Sequence, residues 1–298
     1  MATSLDALTG WVLFAGLIVI LGANASRWLI LPRTEGTGPT ARYQLVRETV
    51  RVGLVGAAVL LGGLGLFFAR QLIEFRDPFS AWSDEAGVLL NTPWGQLWLL
   101  ATLGAACLLP GFLFARRFEK SWWLVTPLSL ALASFPAFTG HAAGVDDYRS
   151  LLLLADTVHV WAAGSWIGGL ATILWLERAV RRDESDVSVL STLVPRFSPV
   201  AMVSVGALIS TGVLASWTHL PSADALFTTQ WGQLLLVKVF IAGGVLAIGA
   251  RNYRTLSPRL GTASGDQAMR RSAAAELILV QLVLIVTAIL VRTSPTVG

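Results

Sequence analysis

Cysteine is all but missing from this chain: Cys107, in an apolar run, is the only one among 298 residues. One thiol cannot close an internal disulfide, and it cannot build a zinc or iron–sulfur centre that needs several thiolates. Charge is scarce as well. Asp, Glu, Lys and Arg together make up 13%, where soluble domains carry about a quarter. With 54% hydrophobic residues, the chain is matched to lipid rather than water as its solvent. Twelve tryptophans stand against three tyrosines. An indole ring suits the water–lipid boundary, where its apolar body and its one N–H donor are both satisfied. The formal net charge of +4 could suggest a nucleic-acid partner, but the arginines are spread over short connections and form no patch, so none is expected. A Walker A loop, a His-Glu-x-x-His zinc pattern and a nucleophile elbow are also missing. An ATP-driven pump or a hydrolase of those designs is therefore not expected, and neither is an enzyme.

What the chain has is long apolar runs. A hydrocarbon core about 30 Å thick takes roughly 20 helical residues at about 1.5 Å each. Eight stretches have that length, at 10–31, 51–69, 95–114, 121–138, 150–176, 198–218, 231–250 and 273–291. We read an all-α integral membrane protein of about eight transmembrane helices, with the lipid bilayer as its main partner. Of the 22 Lys and Arg, 17 fall on one side, Arg70, Arg76, Arg149 and Arg292 on the other, and Lys238 inside a span. The positive-inside rule makes the side with 17 cytoplasmic and places both termini on the non-cytoplasmic side, with the acidic connection bearing Glu74, Asp77, Asp84 and Glu85. Ala23-Asn24-Ala25 resembles a signal-peptide cleavage site, yet nothing before Trp11 is basic and Asp6 is acidic, so the first span is expected to be retained.

The chain also repeats itself. Thr92-Pro93-Trp94-Gly95-Gln96-Leu97 returns as Thr229-Gln230-Trp231-Gly232-Gln233-Leu234, each at the start of a span of the same direction. Upstream, an offset of 150 matches Asp6 with Asp156, Trp11 with Trp161, Val55-Gly56-Ala57 with Val205-Gly206-Ala207, and Gly62 with Gly212. The spacing predicts one membrane domain built of two parallel four-helix halves, 1–140 and 141–298, with a site at their junction. The halves differ in chemistry, since His159 matches Thr9. A ligand site is thus expected mainly in the second half.

In the fifth span Asp156, His159 and Trp166 share one face at 100° per residue, with Trp161 nearly opposite. His159 lies about 13 Å inward of Ser150, near the bilayer centre. A carboxylate at such depth costs about 3 kcal/mol, so Asp156 is expected to face the bundle with a partner or a bound ion. Asp-x-x-His suits a divalent ion or copper(I), the imidazole ligating and the carboxylate holding its tautomer. The same pair also serves as a hydrogen bond that only locks helices together. His141, in Thr139-Gly140-His141-Ala142-Ala143-Gly144, falls at the outer end of the fourth span near Asp146 and Asp147. His219 falls at the outer end of the sixth, after Trp217. Both are placed to meet a ligand from outside, and a solvated surface role fits His219 as well. Lys238, about 10 Å into the seventh span, is expected to pair with Asp156 or a carbonyl, or to snorkel outward. Met202 and Cys107 are soft atoms that are expected to pack.

Thr139-Gly140-His141-Ala142-Ala143, Asp156-x-x-His159 followed by Trp166-x-Gly168-Gly169, and Thr229-x-Trp231-Gly232-Gln233-Leu234-Leu235 leading to Lys238 resemble the copper resistance protein D (CopD/PcoD) family of bacterial inner-membrane proteins. These elements cover about 92–240 best, and the eight-span pattern covers the whole chain. The resemblance implies copper import across the inner membrane, a part in copper homeostasis or resistance, and a small periplasmic copper-binding partner of the CopC type. It makes His141, Asp156, His159 and Lys238 the matching positions; His219 is added by its place alone. The expected metal set is His159, Asp156, His141 and His219, with copper as the ion. The chain departs from the family in having no fused CopC-like domain and almost no intramembrane methionine. Two other classes stay open: a b-type haem protein for electron transfer, which needs two histidines facing at similar depth where only His159 is deep, and a membrane assembly protein in which Asp156 and His159 merely join helices.

Overall fold

In the computed structural model, which describes residues 4–31, 39–139, 148–182, 189–220 and 222–293, the described chain is helical with no strand. α1 (Ser4–Ala25) runs into a π-helical turn (Ser26–Ile30), and α2 (Pro39–Glu74) returns beside it. The short α3 (Trp82–Asn91) leads into α4 (Pro93–Ala115), and α5 (Trp122–Leu132) with α6 (Phe135–Thr139) makes the fourth crossing. The fifth is α7 (Arg149–Ala163), a π-helical turn (Gly164–Gly168) and α8 (Gly169–Arg182). α9 (Val189–His219), the short α10 (Ala225–Thr228), α11 (Gln230–Arg251) with its π-helical turn (Asn252–Leu256), and α12 (Ala263–Leu290) complete the order. These form eight helices long and apolar enough to cross a membrane, one for each apolar run in the sequence. Their ends outrun the apolar residues, as α2 does with 36 residues, because a helix carries its own backbone hydrogen bonds past the hydrocarbon into the interface.

The repeated Thr-x-Trp-Gly is a capped corner. Thr92 adopts extended backbone and its hydroxyl accepts from Gly95 N at 3.0 Å, and Thr229 does the same for Gly232 N at 3.0 Å. Each satisfies one of the orphan N–H groups at a helix start. Both glycines are forced by the sharpness of the corner. A Cβ on Gly95 would lie 2.1 Å from the Leu89 carbonyl oxygen, and one on Gly232 would lie 2.2 Å from that of Ala225.

The apolar interior falls into two clusters. Leu17, Leu60, Leu108 and Trp122 lie in one, on spans one to four, while Ile173, Leu193, Val245 and Val280 lie in the other, on spans five to eight. α1 feeds both and packs along α2, α12 and the middle of the fifth span. At that crossing the backbones touch: a Cβ on Gly22 would lie 2.1 Å from Gly168 C, and one on Gly168 would lie 2.0 Å from the Ile18 carbonyl oxygen. Small residues allow this in lipid, where helices associate by close packing. The periphery is different. Only 6% of the most apolar stretch of the seventh span is buried, against 50% for the first. α9 and α11 therefore turn most of their surface outward, and the groups between them and α7 sit at the margin of the bundle.

Candidate functional site

α7 packs along α9, and their shared seam collects the polar groups of the fifth and sixth spans. Thr211 on α9 donates its hydroxyl proton to the Ala207 carbonyl at 2.7 Å, while its Oγ1 lies 2.8 Å from His159 Nδ1. A hydroxyl has one proton to give, so Oγ1 is the acceptor and His159 carries its proton on Nδ1. The neutral ring then presents its lone pair at Nε2, the atom that ligates a metal. His219 is also held by its neighbours. Its Nδ1 lies 2.8 Å from the Ala215 carbonyl oxygen, which can only accept, and its ring stacks on Trp231 of α11 at 6.0 Å and 18°.

Asp156 lies one turn from His159 on α7, toward Arg149, as Ala215 lies one turn from Thr211 on α9, toward His219. His219 and Lys238 of α11 are the groups coupled electrostatically to Asp156. From the His219 end the seam thus reads His219, Asp156, His159, with Trp231 and Lys238 contributed by α11. All three are half-buried. The matching aspartate of the first half is closed: Asp6 is held by Arg70, Nε to Oδ1 at 2.6 Å. At the same offset Arg70 matches Leu220. No guanidinium or ammonium within ion-pair distance of Asp156 is found among the described residues.

The structure therefore brings Asp156, His159, His219 and Lys238 together. It strings them along the seam: no group of three or more His, Cys, Asp or Glu close enough to hold one ion occurs among the described residues. His141, with Asp146 and Asp147, lies outside the described residues. Met202 and Cys107 are exposed away from the seam. Trp166, placed by 100° per residue on the face of His159, is buried within the π-helical turn. Two contributors are invisible to spacing. Thr211 and Trp231 belong to other helices: the pairing of α7 with α9 brings in the first, and the stacking of Trp231 on His219 brings in the second.

Known proteins resemble this chain along nearly its full length. Residues 1–151 match the family model described as "Copper resistance protein D-like, N-terminal domain", and residues 191–290 match that described as "Copper resistance protein D". Copper transport protein CutJ of Bacillus subtilis (strain 168) is 31% identical over 223 residues, which are 70% of this chain and 40% of that protein. The chain thus spans less than half the length of that relative. Copper resistance protein D of Pseudomonas syringae pv. tomato is 27% identical over 264 residues, 86% of this chain and 79% of that protein. Inner membrane protein YebZ of Escherichia coli (strain K12) is 24% identical over 251 residues, 83% and 82% of the two chains. No solved structure matches.

Proposed function

Because the chain belongs to the copper resistance protein D family, we propose that it is a multi-pass protein of the bacterial inner membrane that carries copper inward. The α7–α9 seam is the first part of the path. The observation that carries this reading is the tautomer lock at His159: Thr211 holds Nδ1, so the ring offers Nε2 one turn from a half-buried carboxylate, with His219 and Trp231 at the end of the same seam. Nitrogen and oxygen donors without sulfur suit copper(II) better than copper(I). Spaced ligands support movement rather than storage, because an ion held by few groups at a time leaves as readily as it arrives. The two histidines attach at different depths on the seam, which supports a string of ligands over the opposed pair a b-type haem requires. A periplasmic protein of the CopC type would deliver copper at the His219 end.

His159→Ala is expected to abolish most copper accumulation in cells with the protein still present in the membrane. Asp156→Asn is expected to lower it less, since the amide keeps an oxygen ligand and loses only the charge. Protein purified after growth with copper should contain the metal and show no Soret band. Unchanged accumulation in both variants would mean that the pair only joins helices.

A further inference from the structure

Glu276 lies in the membrane-spanning part of α12, 3% exposed, and the seam makes no use of it. Asn252, in the π-helical turn that ends the seventh span, donates from Nδ2 to Glu276 Oε2 at 3.1 Å, and Ser272 in turn donates to Asn252 Oδ1. On the other side, a Cβ on Gly249 would lie 3.5 Å from Glu276 Oε1 and 4.0 Å from the Trp166 ring. Trp166 belongs to the fifth span, two turns inward of His159. The carboxyl therefore lies where the fifth, seventh and eighth spans meet. From Lys238 to Asn252 is 14 residues, or roughly 20 Å toward the side rich in arginine.

Among the described residues no cation pairs with Glu276. Lys238 and Arg251 of α11, Arg254 in the π-helical turn, Arg259 just after it, Arg178 and Arg181 of α8, and Arg271 of α12 itself lie on α12 or on elements packed against it, and none forms an ion pair with Glu276. Arg270 of α12 is taken by Glu177 of α8 at 3.0 Å. An ionised carboxylate in this place needs a cation from elsewhere, and an intramembrane carboxyl with a polar escort marks an ion or proton path.

We propose that Glu276 is a proton-exchange site at the cytoplasmic end of the copper path. It holds a proton while the path is empty and releases it to cytoplasmic water when a copper ion reaches the carboxylate. In that step the O–H bond breaks, its electron pair stays on oxygen, and copper takes the place of the proton without changing oxidation state; when the carboxylate takes a proton back from cytoplasmic water, the O–H bond forms again and the copper ion leaves. The step rests on the inward copper path proposed above and extends it with an exit that is coupled to protons.

The test uses the full-length protein in lipid vesicles. Infrared spectra should show the C=O stretch of a protonated carboxylic acid at neutral pH, missing from Glu276→Gln and removed from the wild type by copper. Wild-type copper uptake should pass through a maximum against the pH of the cytoplasmic face, since copper arrives as the proton leaves and departs as it returns. Glu276→Gln keeps an oxygen to accept from Asn252 and so keeps the fold; its uptake should be several-fold slower and flat against that pH. A carboxylic band missing from the wild type, or a wild-type pH profile in the variant, overturns the proposal. If the band is present and titrates but wild-type vesicles take up no copper, the transport reading fails, and the exchange step with it; the band, read without copper, tells the two failures apart.

Discussion

At Thr211 a single hydroxyl proton decides which nitrogen of His159 faces the seam. The Ala207 carbonyl takes that proton, so Oγ1 is left to accept from Nδ1. Removing the hydroxyl frees the imidazole to rotate and to change tautomer, and partners of this kind typically contribute about 10–100-fold in metal affinity. Thr211→Val should therefore weaken copper binding by about that factor, while Thr211→Ser should bind like the wild type. Copper titration of the purified protein, followed by its visible absorption, measures both; equal affinity in all three would remove Thr211 from the site. Asp156 and His159 were legible because residues three apart on a helix share a face, and their depth follows from counting rises. The role of His219 was not, since a histidine at the end of a span looks the same in solvent as it does folded back on Ala215 and covered by Trp231.

The elements show why the repeat in the sequence has structural content. Trp11 of α1 donates to Gln281 of α12 at 3.0 Å, and Trp161 of α7, its match at an offset of 150, donates to the Leu130 carbonyl of α5 at 3.1 Å. The first half's tryptophan thus reaches the last span of the second half, and the second half's reaches the last span of the first. Such an exchange is what two parallel halves about an axis along the membrane normal would produce, and that arrangement remains our proposal for the chain. The π-helical turns were not legible, because one extra residue in a winding leaves no mark in an apolar run. The crossing of Gly22 on Gly168 was hidden for a related reason: glycines are frequent in these helices, and only contact shows which of them two backbones need. Gly168→Ala drives a methyl into the Ile18 carbonyl, an overpacking that costs about 1–3 kcal/mol. Gly243, with nothing within 4 Å of its Cβ position, should accept alanine with no loss. Thermal unfolding of the two variants in the same detergent should show a lower midpoint for Gly168→Ala only. Equal midpoints would mean that the crossing yields and that the close approach of spans one and five is not required.

Across the whole molecule, the eight spans were plain from apolar length alone, whereas orientation rests on where 17 of the 22 basic residues lie. Cysteine placed at Ser83 or Ser222, at the His219 end, should react with an impermeant maleimide outside intact cells, and cysteine at Ser264 should not; reversed labelling would turn the path around. Given that orientation, depth assigns different kinetic roles to the two histidines. His219 lies at the outer end, where ligation costs little desolvation and capture is fast and weak. His159 lies deeper, where each ion must pass it and where water is excluded. Losing the outer ligand should raise the copper concentration for half-maximal uptake and leave the maximum rate nearly unchanged, because a high external concentration replaces assisted capture. Losing the inner ligand should lower the maximum rate at every concentration. His141, at the outer end of the fourth span, should behave as His219 does if it shares in capture. Uptake rate measured against external copper for His219→Ala, His141→Ala and His159→Ala tests the order directly. A His219→Ala variant that loses only maximum rate would place both histidines at one depth-independent step, and the outer-to-inner sequence along the α7–α9 seam would have to be abandoned.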